Sequence, residues 1–291
     1  MIFAFIRDHR EQFPVQALCE VLGVSHSGYY AWCSRPRSAR ARRCAELTEK
    51  IRGVHEHSRR VYGSPRVHRE LIHQGEKVCR NTVAKVMKTE GIKARTHRRF
   101  RVRTTDANHP HPIAPNTLGR NFTCRRLDQV WLTDITYIPT SEGFLYLAGV
   151  MDLCSRRIIG WSMADHMRVE LVSDALEMAV KTRGLKPGAV PRDLLHHSDR
   201  GVQYACGTYQ TLLRRHGISV SMSSTGDCYD NAPKESFWGK LKTELVHHER
   251  FATRAQARAA IFDYIEVFYN RQRLHSSLDY LSPEQFEARL T

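Results

Sequence analysis

The sequence predicts an α/β domain in its rear half, preceded by an all-α, basic front. Three observations carry this. Residues 130–164 hold three β-prone apolar runs joined by short turns, and after them helical and short strand patterns alternate. Before residue 95, apolar residues recur at helical spacing and glycines close each run. The charge divides in the same place. Residues 1–126 carry 26 basic and 10 acidic side chains, net +16, whereas 127–291 carry 19 and 20, net −1, within an overall +15. The excess favours a polyanionic partner at the front and a neutral catalytic or structural unit behind it. With 291 residues and 41% hydrophobic content the chain has material for two or three domains and at least one core.

In residues 15–32, "VQALCEVLGVSHSGYYAW", Leu18, Val21 and Leu22 lie on one face. Gly23 ends that helix and Ser25 caps the next, so 1–34 resembles a helix-turn-helix segment, with an ordinary helical hairpin as the alternative. A second such unit falls within 35–94. Ser64 and Pro65 open a helix striped by Val67, Leu71 and Ile72, Gly75 closes it, and Val83, Val86 and Met87 line the next one. Arg66, Arg69, Arg80, Lys85 and Lys88 are left for the outside, where the scarcity of acids favours phosphate contact over a merely solvated face. Residues 95–126 read as a basic, extended linker. "RTHRRFRVR", with Arg98, Arg99 and Arg101, precedes a proline-rich stretch that discourages regular structure and suits tracking along a nucleic-acid backbone.

The rear domain, 127–291, opens with "QVWLTDITYIP", "FLYLAGVMDL" and "RRIIGWSMA", an antiparallel meander. A helix over 169–183 follows, then a short strand at "RDLLHHSD", the helix "GTYQTLLRRHG", the strand "ISVSMS", a helix carrying Glu235 and a long helix over 253–270. Thr253 and Gln256 form a capping box for the long helix, and Ser282 with Pro283 opens a last one. Between them, Arg271, Arg273 and His275 are candidates either for gripping phosphate or for a loop that closes the domain.

Three acids stand out. Asp134 interrupts a β-prone run, where a buried charge is costly unless paired or metal-bound. Asp199 ends a short strand, where α/β sheets commonly place site residues, and Glu235 follows after 35 intervening residues. Converging carboxylates repel one another unless neutralised, and hard cations such as Mg²⁺ prefer oxygen ligands. Two ions can clamp the attacking and leaving oxygens of an in-line displacement at phosphorus, so no nucleophilic side chain is required. Lys242 lies seven residues beyond Glu235, on nearly the same helix face and about 10 Å along the axis, placed to follow a bound phosphate. Asn231 suits orienting the entrance to this helix or simply capping it. His196 and His197 face opposite sides of their strand, and His197 is a candidate support for the acids. Asp152, at the far end of the second strand, suits capping the hairpin rather than a metal.

The set "WLTDITY", "GVMDLCSRRIIGW", "HSDRGVQY", "DNAPKESFWGKLKTEL" and "YNRQRLHSSLDYLSP" resembles the OrfB transposases of the IS-three family of bacterial insertion sequences, within the retroviral integrase superfamily. With "YGSPRVHREL" at the front, the likeness spans nearly the whole chain. It implies an RNase H-like catalytic domain with a central mixed sheet, catalytic and metal-holding Asp134, Asp199 and Glu235, two Mg²⁺ ions with Mn²⁺ able to substitute, and DNA cleavage followed by strand transfer. The implied partners are the terminal repeats of the element, target DNA, further copies of the chain and an upstream OrfA product fused by ribosomal frameshifting. A different class of reading is a DNA-binding regulator or inactive remnant in which the acids are incidental; a nuclease without strand transfer is another.

Other classes find little support. The eight cysteines lack Cys-x-x-Cys pairs and any zinc spacing, as expected of reduced thiols in a cytosolic protein, and the family resemblance implies a bacterial cytoplasm and association with the nucleoid. "MIFAFI" is too short for a secretory signal, no apolar run reaches membrane-spanning length, and no His-Glu-x-x-His occurs.

Overall fold

A computed structural model describes residues 1–36, 38–95, 110–185, 193–223 and 231–290. The chain divides into two compact units, Met1–Gly53 and Val54–Thr291.

In the first unit, α1 (Ile2–His9), α2 (Val15–Val21) and α3 (His26–Ser34) meet over buried Ile6, Cys19 and Tyr29. The turn at Gly23 adopts φ +65°, open to glycine without steric cost, and the Ser25 hydroxyl accepts the Gly28 amide at 3.2 Å. These are the helices read from 15–32. Helix α1 was not, because eight residues beginning at the chain start offer too short a pattern to read. α4 (Ala39–His57) runs through the division.

The second unit begins with the pair α5 (Ser64–His73) and α6 (Arg80–Thr89), packed through Val67, Leu71, Val83, Val86 and Met87. Gly63, rather than Ser64, takes the N-cap position, with Pro65 in the first turn. The pair is fastened to the end of the same unit. The Leu274 amide donates to the Tyr62 hydroxyl at 2.7 Å, and Arg66 Nε donates to the Leu274 carbonyl at 2.9 Å.

Behind them stand β1 (Val130–Thr140), β2 (Gly143–Asp152), β3 (Ile158–Ala164), β4 (Leu195–Ser198) and β5 (Ser219–Met222). Their order is β3-β2-β1-β4-β5, with β1, β2 and β3 antiparallel neighbours and β4 and β5 joined parallel to β1. This is the mixed sheet of an RNase H-like domain. Trp131, Ile135, Val150 and Ile159 face α7 (Val169–Thr182), and α8 (Val202–Ala205) and α9 (Gly207–His216) complete that layer. Gly160 lets α7 approach β3: a Cβ there would lie 2.2 Å from the Ala175 carbonyl oxygen and 2.6 Å from the Ala179 amide. Because helix backbone cannot yield as a flexible side chain can, Gly160→Ala is expected to lower stability by about 3 kcal/mol or more in a denaturant titration.

The other layer contains α10 (Ala232–Glu244) and α11 (Arg254–Phe262). The helix expected over 253–270 is regular only through Phe262 and widens into a π-helical segment, Asp263–Tyr269. That widening brings Asn270 to β3, where its side-chain oxygen accepts the Ile158 amide at 3.0 Å and its amide group donates to the Ile158 carbonyl at 2.9 Å. One side chain thus satisfies both polar groups of a strand residue beside a register shift. A last helix, α12 (Pro283–Leu290), is opened by Ser282 and Gln285, each side chain accepting the other's amide.

Candidate active site

Sheet register brings two of the three acids together. Leu132 on β1 pairs with His197 on β4 in parallel, so Asp134 and Asp199, each two residues onward, come side by side on one face of the sheet. Asp199 lies just beyond β4, where its carboxylate accepts the Gly201 amide at 3.0 Å. Asp134 Oδ1 accepts the Ile135 amide at 2.8 Å and Oδ2 accepts the Trp238 indole N–H, from α10, at 3.0 Å. Burial, reinforced by the negative charge of Asp199, pushes the Asp134 carboxyl up to about 7. Two adjacent carboxylates that present only oxygen suit a hard divalent cation.

The third acid lies on α10, three residues before Trp238. Glu235 is exposed, and among the described residues no three His, Cys, Asp or Glu side chains gather as a metal ion would require. Its neighbour Lys234 points inward instead. Lys234 is fully buried, its ammonium 4.5 Å from the Trp238 ring centre and 5.0 Å from that of Phe237. A Cβ on Gly149, the residue paired with Asp134 across β1 and β2, would lie 2.6 Å from Lys234 Nζ. Burial pulls the Lys234 ammonium down to about 7, against the attraction of Asp134, and Nζ has no hydrogen-bond partner among the described residues. The structure therefore holds a lysine, which sequence reading passed over, where a cation would neutralise Asp134. The signal for it was the small residue at 149 opposite an acid.

Asn231 sits at the N-cap position without capping the helix. Its amide group donates instead to the Thr133 carbonyl at 3.0 Å, tying the start of α10 to β1 beside Asp134. His197 lies on the same face as the acids but turns toward β5, with Nδ1 2.9 Å from the Ser221 hydroxyl and Nε2 3.2 Å from that of Ser223. His196, on the opposite face, is fully buried and pushed down to about 3 by burial, 2.8 Å from the Tyr209 hydroxyl and 3.2 Å from that of Thr133. Asp152 is a hairpin cap, accepting the amides of Asp128 and Ser155 at 2.7 and 2.9 Å.

The basic residues separate into groups. Lys242 Nζ stands 5.3 Å from the Tyr137 ring centre and feels the charge of Asp134, on the active-site side of α10. Arg80 and Lys85 are exposed on α6. Arg69 pairs with Asp279 at 3.2 Å and lies 5.1 Å from the Tyr280 ring centre, while Arg66 is engaged by the Leu274 carbonyl. Arg98, Arg99 and Arg101 lie outside the described residues. The seven described cysteines form no disulfide, and no described helix is long and apolar enough to cross a membrane.

Comparison with known proteins is consistent with this architecture. Two family models described as "Integrase core domain" match residues 125–228 and 235–290, and one described as "HTH-like domain" matches 42–100. The chain is similar to "Transposase InsF for insertion sequence IS3A" of Escherichia coli K12, 42% identical over 289 residues, 99% of this chain and 98% of that one. It is similar also to "Insertion element IS600 uncharacterized 31 kDa protein" of Shigella sonnei, 43% identical over 92% of this chain and 97% of that one. Among solved structures, a simian T-cell lymphotropic virus intasome aligns with TM-score 0.45 and 14% identity, covering 81% of this chain and 74% of that one. The HTLV-2 integrase catalytic core in complex with magnesium aligns at 0.41 and 15%, covering 55% and 96%. With identity at this level along almost its full length, and with integrase-core matches across the RNase H-like sheet, the chain belongs to the IS3 family of insertion-sequence transposases, polynucleotidyl transferases that act on DNA.

Proposed function

We propose that Asp134, Asp199 and Glu235 form the triad with which this transposase cleaves DNA at insertion-sequence ends and joins the freed ends, together with two Mg²⁺ ions for which Mn²⁺ can substitute. The observation that carries the reading is the adjacency of Asp134 and Asp199 on one face of the sheet, beside α10. The metals would supply charge neutralisation at the phosphate and acidify the attacking hydroxyl. The chain's own residues do the positioning. Trp238 fixes one oxygen of Asp134, Asn231 anchors the start of α10, and Lys242 offers a cation along the path of the phosphate. Completing the triad requires Glu235, exposed on the first turn of α10 and on the same side as Trp238 and Lys242, to close on the two aspartates. DNA and metal together favour that closure, because they neutralise the charge that gathers as the third carboxylate approaches.

Arg80 and Lys85, with Arg98, Arg99 and Arg101, are the proposed contacts to phosphate outside the catalytic face. Arg69 joins them only by leaving Asp279, and Arg66 acts from its place against Leu274. The proposed partners are element terminal repeats, target DNA, further copies of this chain assembled on that DNA, and an upstream OrfA product fused by frameshifting, with the complex working in the cytoplasm at the nucleoid.

The test incubates the full chain, with and without its upstream partner, on DNA carrying the flanking element ends, with Mg²⁺ or EDTA, and resolves the products. Joined ends that need Mg²⁺ and vanish with Asp199→Asn are expected. Hydrolysed ends without joined products point to a nuclease, and DNA binding without either product points to a regulator or inactive remnant. The observation favouring the last reading is buried Lys234, whose charge offsets that of Asp134 without a metal.

A further inference from the structure

A second cluster of charge lies on the flank of α10. Arg66 comes from α5, Arg156 from the turn between β2 and β3, Lys240 from α10, and Arg273 from the segment after the π-helical stretch. His275 sits among them, its ring 4.8 Å edge-on from that of Tyr269. Two carboxylates act on these four cations, Glu244 on Arg66, Lys240 and Arg273, and Asp152 on Arg156. Glu244 receives Arg273 Nε at 2.8 Å and Nη2 at 2.5 Å, and Tyr264 also donates to it at 2.8 Å. Arg66 spends its Nε on a neutral carbonyl. No described residue forms an ion pair or side-chain hydrogen bond with Lys240 or Arg156. Behind them, Arg273 Nη1 and His275 Nε2 are buried without a hydrogen-bond partner among the described residues, in side chains 1% and 3% exposed.

Holding four cations together out of water with only two carboxylates, one of them turned to its own hairpin, is unfavourable unless something else neutralises them. Burial and the neighbouring arginines and lysine hold His275 well below the usual histidine range, and Lys240 is pulled down to about 8 by burial and the Arg273, Arg66 and Arg156 charges. The field at this place is thus positive beyond what the chain offsets. Guanidinium and ammonium groups together are the side-chain chemistry of phosphate recognition. Lys240 is five residues past Glu235, about 7.5 Å along the helix and on a different side of it, so the cluster is separate from the Asp134 face.

We propose that Arg66, Arg156 and Lys240, backed by Arg273 and His275, form a binding site for a backbone phosphate of DNA lying outside the segment being cut. The choice of DNA rests on the transposase reading. A phosphodiester here would grip the strand from the far flank of α10 while the acids act on the near flank, and the helix carrying Glu235 would feel both.

The test uses the full chain, its Lys240→Gln/Arg156→Gln variant and Asp134→Asn as a catalytic control. First, Tm is measured in inorganic phosphate and in chloride at equal ionic strength. The parent is expected to gain more from phosphate than the double variant does, and the variant's Tm in chloride is expected to equal or exceed the parent's because crowded cations have been removed. Second, DNA affinity is measured across a salt series with Mg²⁺ absent. The double variant is expected to bind about tenfold more weakly, with a salt slope reduced by roughly one, whereas Asp134→Asn keeps the parent slope. Equal phosphate stabilisation of parent and variant, or an unchanged slope, overturns the proposal, as does a variant that is merely unstable in chloride. Failure of joining activity in the parent would count against the triad and leave both of these readouts standing.

Discussion

Asp134→Asn is expected to reduce Mg²⁺-dependent joining of element ends by about 10³-fold or more, a barrier increase of roughly 4 kcal/mol or more, while DNA affinity in EDTA stays at the parent value. The substitution keeps the size of the side chain and a carbonyl oxygen able to accept the Trp238 indole N–H, now 3.0 Å from Asp134 Oδ2, so α10 keeps its seat. What it removes is one of two adjacent negative charges. If joining persists near the parent rate, Asp134 is not part of the chemistry.

The same variant carries a pH signature whose sign follows from the shifted carboxyl. Folding raises Asp134 to about 7, chiefly by burial and then by Asp199. The folded chain therefore retains a proton that the unfolded chain has released by about pH 4. Stability attributable to this group is complete at acidic pH and declines as pH rises toward 7, since the native state binds more protons across that window. Asp134→Asn should flatten this decline in a series of Tm measurements from pH 4.5 to 8. Mg²⁺ acts in the opposite sense, favouring the ionised acids, so it should raise the parent's Tm more at pH 8 than at pH 6 and lose much of that effect in the variant. A parent whose Tm responds equally to Mg²⁺ at both values would contradict the proposed cation site.

Glu244→Gln is expected to cost about 3–5 kcal/mol, lowering Tm by about 10 °C, because it leaves buried cations without their carboxylate. Arg273, 1% exposed, donates two hydrogen bonds to Glu244, and Tyr264 adds a third. The neutral amide preserves shape and some hydrogen bonding but none of the charge. Part of the loss should return in inorganic phosphate, whose anion can stand in for the missing carboxylate between Arg66, Arg156, Lys240 and Arg273. A loss below about 1 kcal/mol would mean that the cluster is well enough hydrated not to need Glu244.

Much of this protein can be read along the chain, for local reasons. Alternating apolar residues at 130–164 specify the meander, because period-two patterns put one side of a strand against a core. Gly23, Ser25, Thr253 and Ser282 mark helix ends through turn conformation and capping, interactions that span three or four residues. Asp134 and Asp199 stand out because an acid within or ending an apolar strand needs a compensating partner, and their meeting follows once β1 and β4 pair in parallel. The widened helix after Phe262 was not legible, since an i to i+5 step leaves helical spacing nearly intact and is chosen by where Asn270 must reach.

By itself, then, the sequence determined the helical front, the strand and helix order behind it, the partition of charge and the identity of the candidate acids. Only the tertiary structure decided which flank of α10 faces the sheet. That outcome buries Lys234 against Asp134, and it gathers Arg66, Lys240 and Arg273 around one glutamate from three separate parts of the chain. The physical reason is that hydrophobic periodicity and capping are written in neighbouring residues, whereas the rotation of a weakly amphipathic helix is set by what packs against all of its sides. In α10 lysine, phenylalanine and tryptophan share the buried face, so the arbiter is the space beside Gly149 and the charge of Asp134, both contributed by residues far away in the sequence.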